Sequence, residues 1–240
     1  MKINAGDRYF KEVNDEIRRA EEQEIMIENC MGQRYIGSGM SGKHLTIKGI
    51  PGNDLGSYLN GGSITVRGNA QDATGDTMND GEIIIHGSSG DATGYAMRGG
   101  KILVEKNAGY RAGIHMKAYQ NQQPLLMIGG EAGSFLGEYQ AGGTIIVLGL
   151  HSSKKTPVGN LCGTGMHGGR IYLRCDKLPE DLPSQVEARL ASKGDMAFIN
   201  SYLDEFCDIF NVIKDDVLSK PFYVLEPNTK NPYRSLYTFN

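Results

Sequence analysis

The sequence has no C-x-x-C pair: its four cysteines, Cys30, Cys162, Cys175 and Cys207, stand far apart. Structural thiols in a reducing compartment are expected ahead of metal or cluster ligands. Charge of one sign is not in excess either. A net charge of −3 and a pI near 6.0 argue against nucleic acid as the main partner. No apolar h-region follows Met1, and no hydrophobic run approaches membrane-spanning length, so a cytoplasmic protein without a membrane partner is expected.

The usual chemical signatures are missing as well. Gly99-Gly100-Lys101 hints at a phosphate loop, but G-x-x-x-x-G-K-[ST] is absent and a strand pattern follows. The histidines His44, His86, His115, His151 and His167 share no ligand spacing, which makes turn or surface positions the expected reading. Asp72 and Asp91 lie one repeat apart beside Asn53. Such a column suits a cation or a carboxylate pair acting on sugars. A ladder of short side chains bonding turn amides is the stronger expectation. No Ser-His-Asp order or Cys-His pairing presents itself. No catalytic, cofactor-binding or metal residue is assigned.

What is present is periodic. Met40, Leu59, Met78, Met97 and Met116 recur at 19-residue spacing. Gly37, Gly56, Gly75, Gly94 and Gly113 keep the same beat, and Gly137 and Gly163 follow after slips of 5 and 7 residues. With those slips inserted, two further columns align. One runs Leu45, Ile64, Ile83, Ile102, Leu126, Ile145, Ile171; the other runs Ile47, Val66, Ile85, Val104, Ile128, Val147, Leu173. Apolar residues at i and i+2 describe a strand with one buried face. Glycine pairs such as Gly61-Gly62 and Gly142-Gly143 precede the strands, as sharp corners require. A helical repeat is excluded, since each glycine would cost it about 1 kcal/mol. Leucine-rich and calcium-binding nonapeptide repeats lack their defining frames. The expected fold is mainly β: a single-stranded right-handed β-helix of about seven 19-residue coils over 31–176. An N-terminal helical cap is expected over 1–30, with C-terminal helices and an extended tail over 177–240.

The ends carry the capping elements. Phe10, Val13, Ile17 and Ala20 share a helical face, with Asn14 the expected N-cap. Ser184-Gln185-Val186-Glu187 fits a capping box opening a short helix. A second helix carries Met196, Ile199, Leu203, Phe206 and Phe210 on one stripe. Beyond residue 218, Pro221, Phe222, Tyr223, Pro227, Pro232, Tyr233, Tyr237 and Phe239 mark an extended tail, laid on its own body or on a partner. Between the two inward strand columns runs an outward one: Thr46, Thr65, Ile84, Leu103, Met127, Ile146, Tyr172. Being apolar from Ile84 onward it needs a cover, and the second helix is the expected one.

Gln33-Arg34-Tyr35-Ile36-Gly37 leads into blocks of the form Gly-x-x-Met-x-x-Gly-x-Ile-x-Val-x-Gly, as at 75–87. The late run Gly137-Glu138-Tyr139-Gln140-Ala141-Gly142-Gly143 precedes Gly163-Thr164-Gly165-Met166-His167-Gly168-Gly169. Over about residues 10–176 this resembles the C-terminal GXGXG β-helix domain of the glutamate synthase large subunit, here as a free-standing protein. Formylmethanofuran dehydrogenase contains a related GXGXG rod among its chains, and the repeat alone does not choose between the two. The Glu-Tyr-x-x-Gly-Gly and Arg-Tyr-Ile-Gly runs favour glutamate synthase.

The resemblance implies a non-catalytic scaffold subunit of a multi-chain enzyme converting glutamine and 2-oxoglutarate to glutamate. FMN and iron–sulfur clusters would lie on partner subunits, the glutaminase and synthase chains, with none bound here. The family's glutaminase uses an N-terminal cysteine, whereas the first cysteine here is Cys30, and no segment is long enough for the synthase barrel. A scaffold in another redox assembly, a polysaccharide-cleaving β-helix enzyme and a homo-oligomer stay open.

Overall fold

The computed structural model describes residues 1–228. In chain order the elements are β1 (Lys2–Asn4), α1 (Phe10–Arg19), β2 (Glu24–Met31), β3 (His44–Ile50), β4 (Asn60–Arg67), β5 (Asp80–Ile85), β6 (Lys101–Val104), β7 (Leu125–Ile128), β8 (Ala141–Val147) and β9 (Gly168–Arg174). They continue with β10 (Val186–Leu190), α2 (Lys193–Phe210), α3 (Lys214–Leu218) and β11 (Phe222–Pro227). One 11-stranded sheet results, in the order β1 to β9, then β11, then β10. Strands β1 to β9 pair in parallel with their sequence neighbours, whereas β11 and β10 add antiparallel at the far end.

The apolar columns set the register. Leu45 pairs with Ile64, Ile64 with Ile83, Ile83 with Ile102, Ile102 with Leu126, Leu126 with Ile145, and Ile145 with Ile171. A slip of one residue would turn every one of them to the opposite face. Both inward columns and the methionine column are buried in one continuous core. The segments returning from one strand to the next are bonded in the same sequential order. Gly56, Gly75 and Gly94 donate N–H to the carbonyls of Ile36, Leu55 and Thr74, one repeat earlier.

The outward column is covered from within the chain. Leu103, Met127, Ile146 and Tyr172 form a second buried cluster with Ile199, Leu203, Phe206 and Cys207 of α2 and with Val217, Phe222 and Val224. Ile84 is only half-buried, and Thr46 and Thr65, which need no cover, also lie half-open. Helix α2 starts at a capping box: the Ser192 hydroxyl accepts from the Asp195 N–H, and the Asp195 carboxylate accepts from the Ser192 N–H. Arg189 holds the same carboxylate at 2.6 Å. Buried Arg174 donates to the carbonyls of Leu148, Asp216 and Val217, which ties α3 to the sheet.

Three local expectations are corrected. In the segment 1–30 only Phe10–Arg19 is helical; Ile25 and Ile27 alternate with Met26 and Glu28, and that period of two makes β2 a strand flush with β3. Asn14 lies inside α1, not at its start, and its amide donates to the carbonyls of Phe10 and Arg34, pinning the helix to the first corner. Ser184–Glu187 opens no helix. Val186 and Ala188 turn inward while Glu187 and Arg189 turn out, so the segment pairs with β11 as β10. The tail beyond 218 is extended as far as Pro227, and Pro232, Tyr233, Tyr237 and Phe239 lie outside the described residues. Among the described residues no helix is long and apolar enough to cross a membrane.

Candidate docking surface

Each return segment turns one corner through three alternate residues with positive φ. Tyr35, Gly37 and Gly39 form the first such set, Asp54, Gly56 and Tyr58 the next, Ala73, Gly75 and Thr77 the third, and Leu161, Gly163 and Gly165 the last. The outer two donate N–H forward to the next repeat, as Asp54 does to the Asp72 carbonyl and Tyr58 to that of Asp76, while the central one bonds backward. The two kinds of position tolerate different side chains. A Cβ on Gly75 would come within 2.3 Å of Ile102 Cδ1 in the core, so at that corner glycine suits the space as well as the φ, whereas Gly94 is constrained by φ alone. The flanking positions are glycine at 39 and 165 and elsewhere carry Tyr, Asp, Ala, Thr, Arg, His, Phe or Leu, each non-glycine held left-handed at a cost of about 1–2 kcal/mol.

Side chains at these positions and beside them line up as an aromatic ridge along the corner. Tyr95 meets His115 edge-on at 5.9 Å, and His115 stacks on Tyr139 at 5.1 Å. Tyr110 packs on Phe135 at 5.3 Å, with the Arg111 guanidinium over both rings and paired to buried Glu138 at 2.7 Å. Toward the first repeats Tyr9, Phe10 and Tyr35 meet in turn with tilted rings, and Tyr58 stands 56% exposed. Aromatic and arginine side chains along one edge are the composition of a protein–protein contact.

The candidate chemical residues are not brought together. Asp72 accepts the Asp91 N–H, Asp91 accepts that of Tyr110, and Asn69, Ser88 and Asn107 do the same one column away. The short polar side chains therefore serve as rungs between repeats, the stronger of the two expectations. Lys101 begins β6 between Glu82 and Glu205, tying the sheet to α2 rather than holding a phosphate. His44 bonds Ser63, His86 bonds Arg67 and rests on Phe210, His151 sits in a turn, and His167 lies just before β9 with its ring against the Gly165 carbonyl. Burial, then the Arg67 charge, push the His86 pKa below its ordinary value.

All four thiols are buried and unbridged. Burial pushes Cys30 and Cys175 up to about 11 and Cys162 up to about 12, leaving them as thiols rather than thiolates. No three His, Cys, Asp or Glu side chains converge among the described residues, so the donor set for an iron–sulfur cluster is not assembled there.

A chain built on glycines at the inward corner positions, with open neighbours on either side, has the sequence form Gly-x-Gly-x-Gly wherever all three are glycine. The GXGXG motif family matches residues 12–226. The chain belongs to that family. An uncharacterized protein from Methanocaldococcus jannaschii is 42% identical over 249 residues, covering 98% of this chain and 95% of its own. Among solved structures, a chain of the formyltransferase/hydrolase complex from Methylorubrum extorquens, in complex with methylofuran, matches with a TM-score of 0.61. It is 21% identical, and the match covers 84% of this chain and 72% of that one. At that identity the likeness concerns the fold. The GXGXG ridge itself escaped sequence reading, because Ala73, Thr77 and Ala92 carry no sign of a left-handed backbone. Its one available signal was the recurrence of aromatic residues beside the glycine column.

Proposed function

We propose that this GXGXG protein is a non-catalytic scaffold subunit of a multi-chain redox enzyme, and that the repeats close into a single-stranded right-handed β-helix of about seven 19-residue coils. The ridge carries the reading: Tyr58 keeps an exposed aromatic side chain at a left-handed position that Gly39 and Gly165 fill without strain in the first and last sets, and Leu161 stands exposed at the left-handed position that opens the last set. A strained, outward aromatic residue is retained where it meets something. The catalytic partners that fit best are the glutaminase and synthase chains of a cytoplasmic glutamate synthase. FMN and iron–sulfur clusters lie on those chains, and this one orients them.

A second reading follows from the fold likeness to a chain of the formyltransferase/hydrolase complex: a scaffold in a formylmethanofuran dehydrogenase-type assembly. Purifying the tagged chain from its own cells and identifying the co-purifying subunits by mass spectrometry separates the two. Chains with an N-terminal catalytic cysteine and a flavin barrel support the first, and formyl-transfer subunits support the second. The isolated chain is expected to be colourless and without glutaminase activity; a flavin-loaded, active monomer would refute both.

A further inference from the structure

Strand β10 ends the sheet, bonded to β11 on one side and, among the described residues, open on the other. Gln185 and Ala191 bond to Asn228 and Phe222 of the β11 segment. Alternation therefore turns the backbone groups of Glu187 and Arg189 toward β11 and those of Val186, Ala188 and Leu190 to the open edge. Two of those edge groups are already satisfied: the Val186 N–H by the Pro183 carbonyl, and the Leu190 carbonyl by the Arg189 guanidinium at 3.4 Å. That leaves two donors, the N–H groups of Ala188 and Leu190, and two acceptors, the carbonyls of Val186 and Ala188.

This remainder is self-complementary. Two copies of β10 laid antiparallel about a twofold axis at Ala188 set Ala188 opposite Ala188 and Leu190 opposite Val186. The two Ala188 N–H groups then donate to the facing Ala188 carbonyls, and the two Leu190 N–H groups donate to the facing Val186 carbonyls. All four open donors find acceptors, and neither satisfied group has to give up its bond. The same register places Glu187 of each copy opposite Arg189 of the other, a favourable cross-strand pair. Edge strands that must remain single are blunted by shortness, by charged side chains, by proline, by a bulge or by a cover, and the two charges of β10 pair across the proposed seam instead of repelling. Strand β10 has no proline, keeps an unbroken register with β11, and leaves Leu190 61% exposed. We propose that this edge docks a second copy of the chain, giving an isologous dimer with a continuous sheet.

The test uses the full chain in sedimentation velocity across concentration, beside two variants. Wild type is expected to be a dimer in reversible exchange with monomer. Ala188→Pro removes an outward N–H without touching the bonds to β11, so its circular dichroism and melting should match wild type while association weakens roughly 100-fold. Glu187→Lys sets like charges opposite and should weaken association by about tenfold, more at low salt. A wild-type chain that stays monomeric at high concentration would overturn the proposal, as would a dimer indifferent to Ala188→Pro. So would a chain that dimerises only after residues 229–240 are removed, since its own tail would then be the occupant.

Discussion

A methyl group added to the corner glycines probes both of their constraints separately. At Gly75 it meets the Ile102 side chain and a φ of +71°; at Gly94 the φ is +72° but the nearest atom is 3.6 Å away. Gly94→Ala should therefore cost only the left-handed penalty, about 1–2 kcal/mol. Gly75→Ala should cost that plus roughly 1–3 kcal/mol of overpacking, and urea titration of the two variants measures the difference. Equal losses would mean that the interior gives way freely at Ile102. Met97 is fully buried in the methionine column, and Met97→Asp should leave an unpaired carboxylate there and yield insoluble protein. Soluble Met97→Asp with near-wild-type melting would place that column outside the core. These inward positions were legible in the sequence because spacing alone marks them. The outward left-handed positions were not, because an alanine or threonine keeps its identity whatever its φ.

At the scale of elements, helix α2 depends on one carboxylate. Asp195 accepts from Arg189 and from the Ser192 N–H and hydroxyl, and the Arg189 hydrogen bond, above all, holds it well below the usual carboxylate range. Its folded-state pKa lies below the unfolded value, so the unfolded chain takes up the proton first. The contribution is full at neutral pH and is lost progressively as pH falls below about 4. Asp195→Asn should lower stability by about 1–3 kcal/mol at pH 7, and the gap to wild type in thermal melts should narrow on acidification. A gap constant with pH would remove the charge from the explanation.

Phe206→Ala tests the cover itself. Phe206 is fully buried against the apolar sheet face, and losing it should cost about 3–5 kcal/mol in urea unfolding. A loss below about 1 kcal/mol would mean that α2 rests only loosely on the sheet. The stripe of α2 and the apolar column beneath it were both readable, since each is a long run of a single period. Strands β2 and β10 were not: β2 precedes the first corner glycine, and β10 owes its conformation to β11, more than thirty residues away in the chain.

For the molecule as a whole, the repeat sets out one continuous edge. The stacked registers, polar rungs and buried apolar columns fix one long edge, and aromatic side chains with Arg111 and His115 among them are placed along it. The proposed division of labour with partner chains rests on the ridge, and changing the ridge tests it. Glycine at Tyr58 and Leu161 removes two exposed side chains while relieving their left-handed strain, so folding and docking should respond in opposite directions. The decisive measurement is native mass spectrometry of the tagged chain drawn from its own cells, as wild type and as Tyr58→Gly/Leu161→Gly, with a thermal melt of each. Wild type should carry catalytic subunits in fixed stoichiometry, while the double variant, melting no lower, should come away without them. Equal retention of partners by both chains, or a wild-type chain that travels alone, would contradict the account.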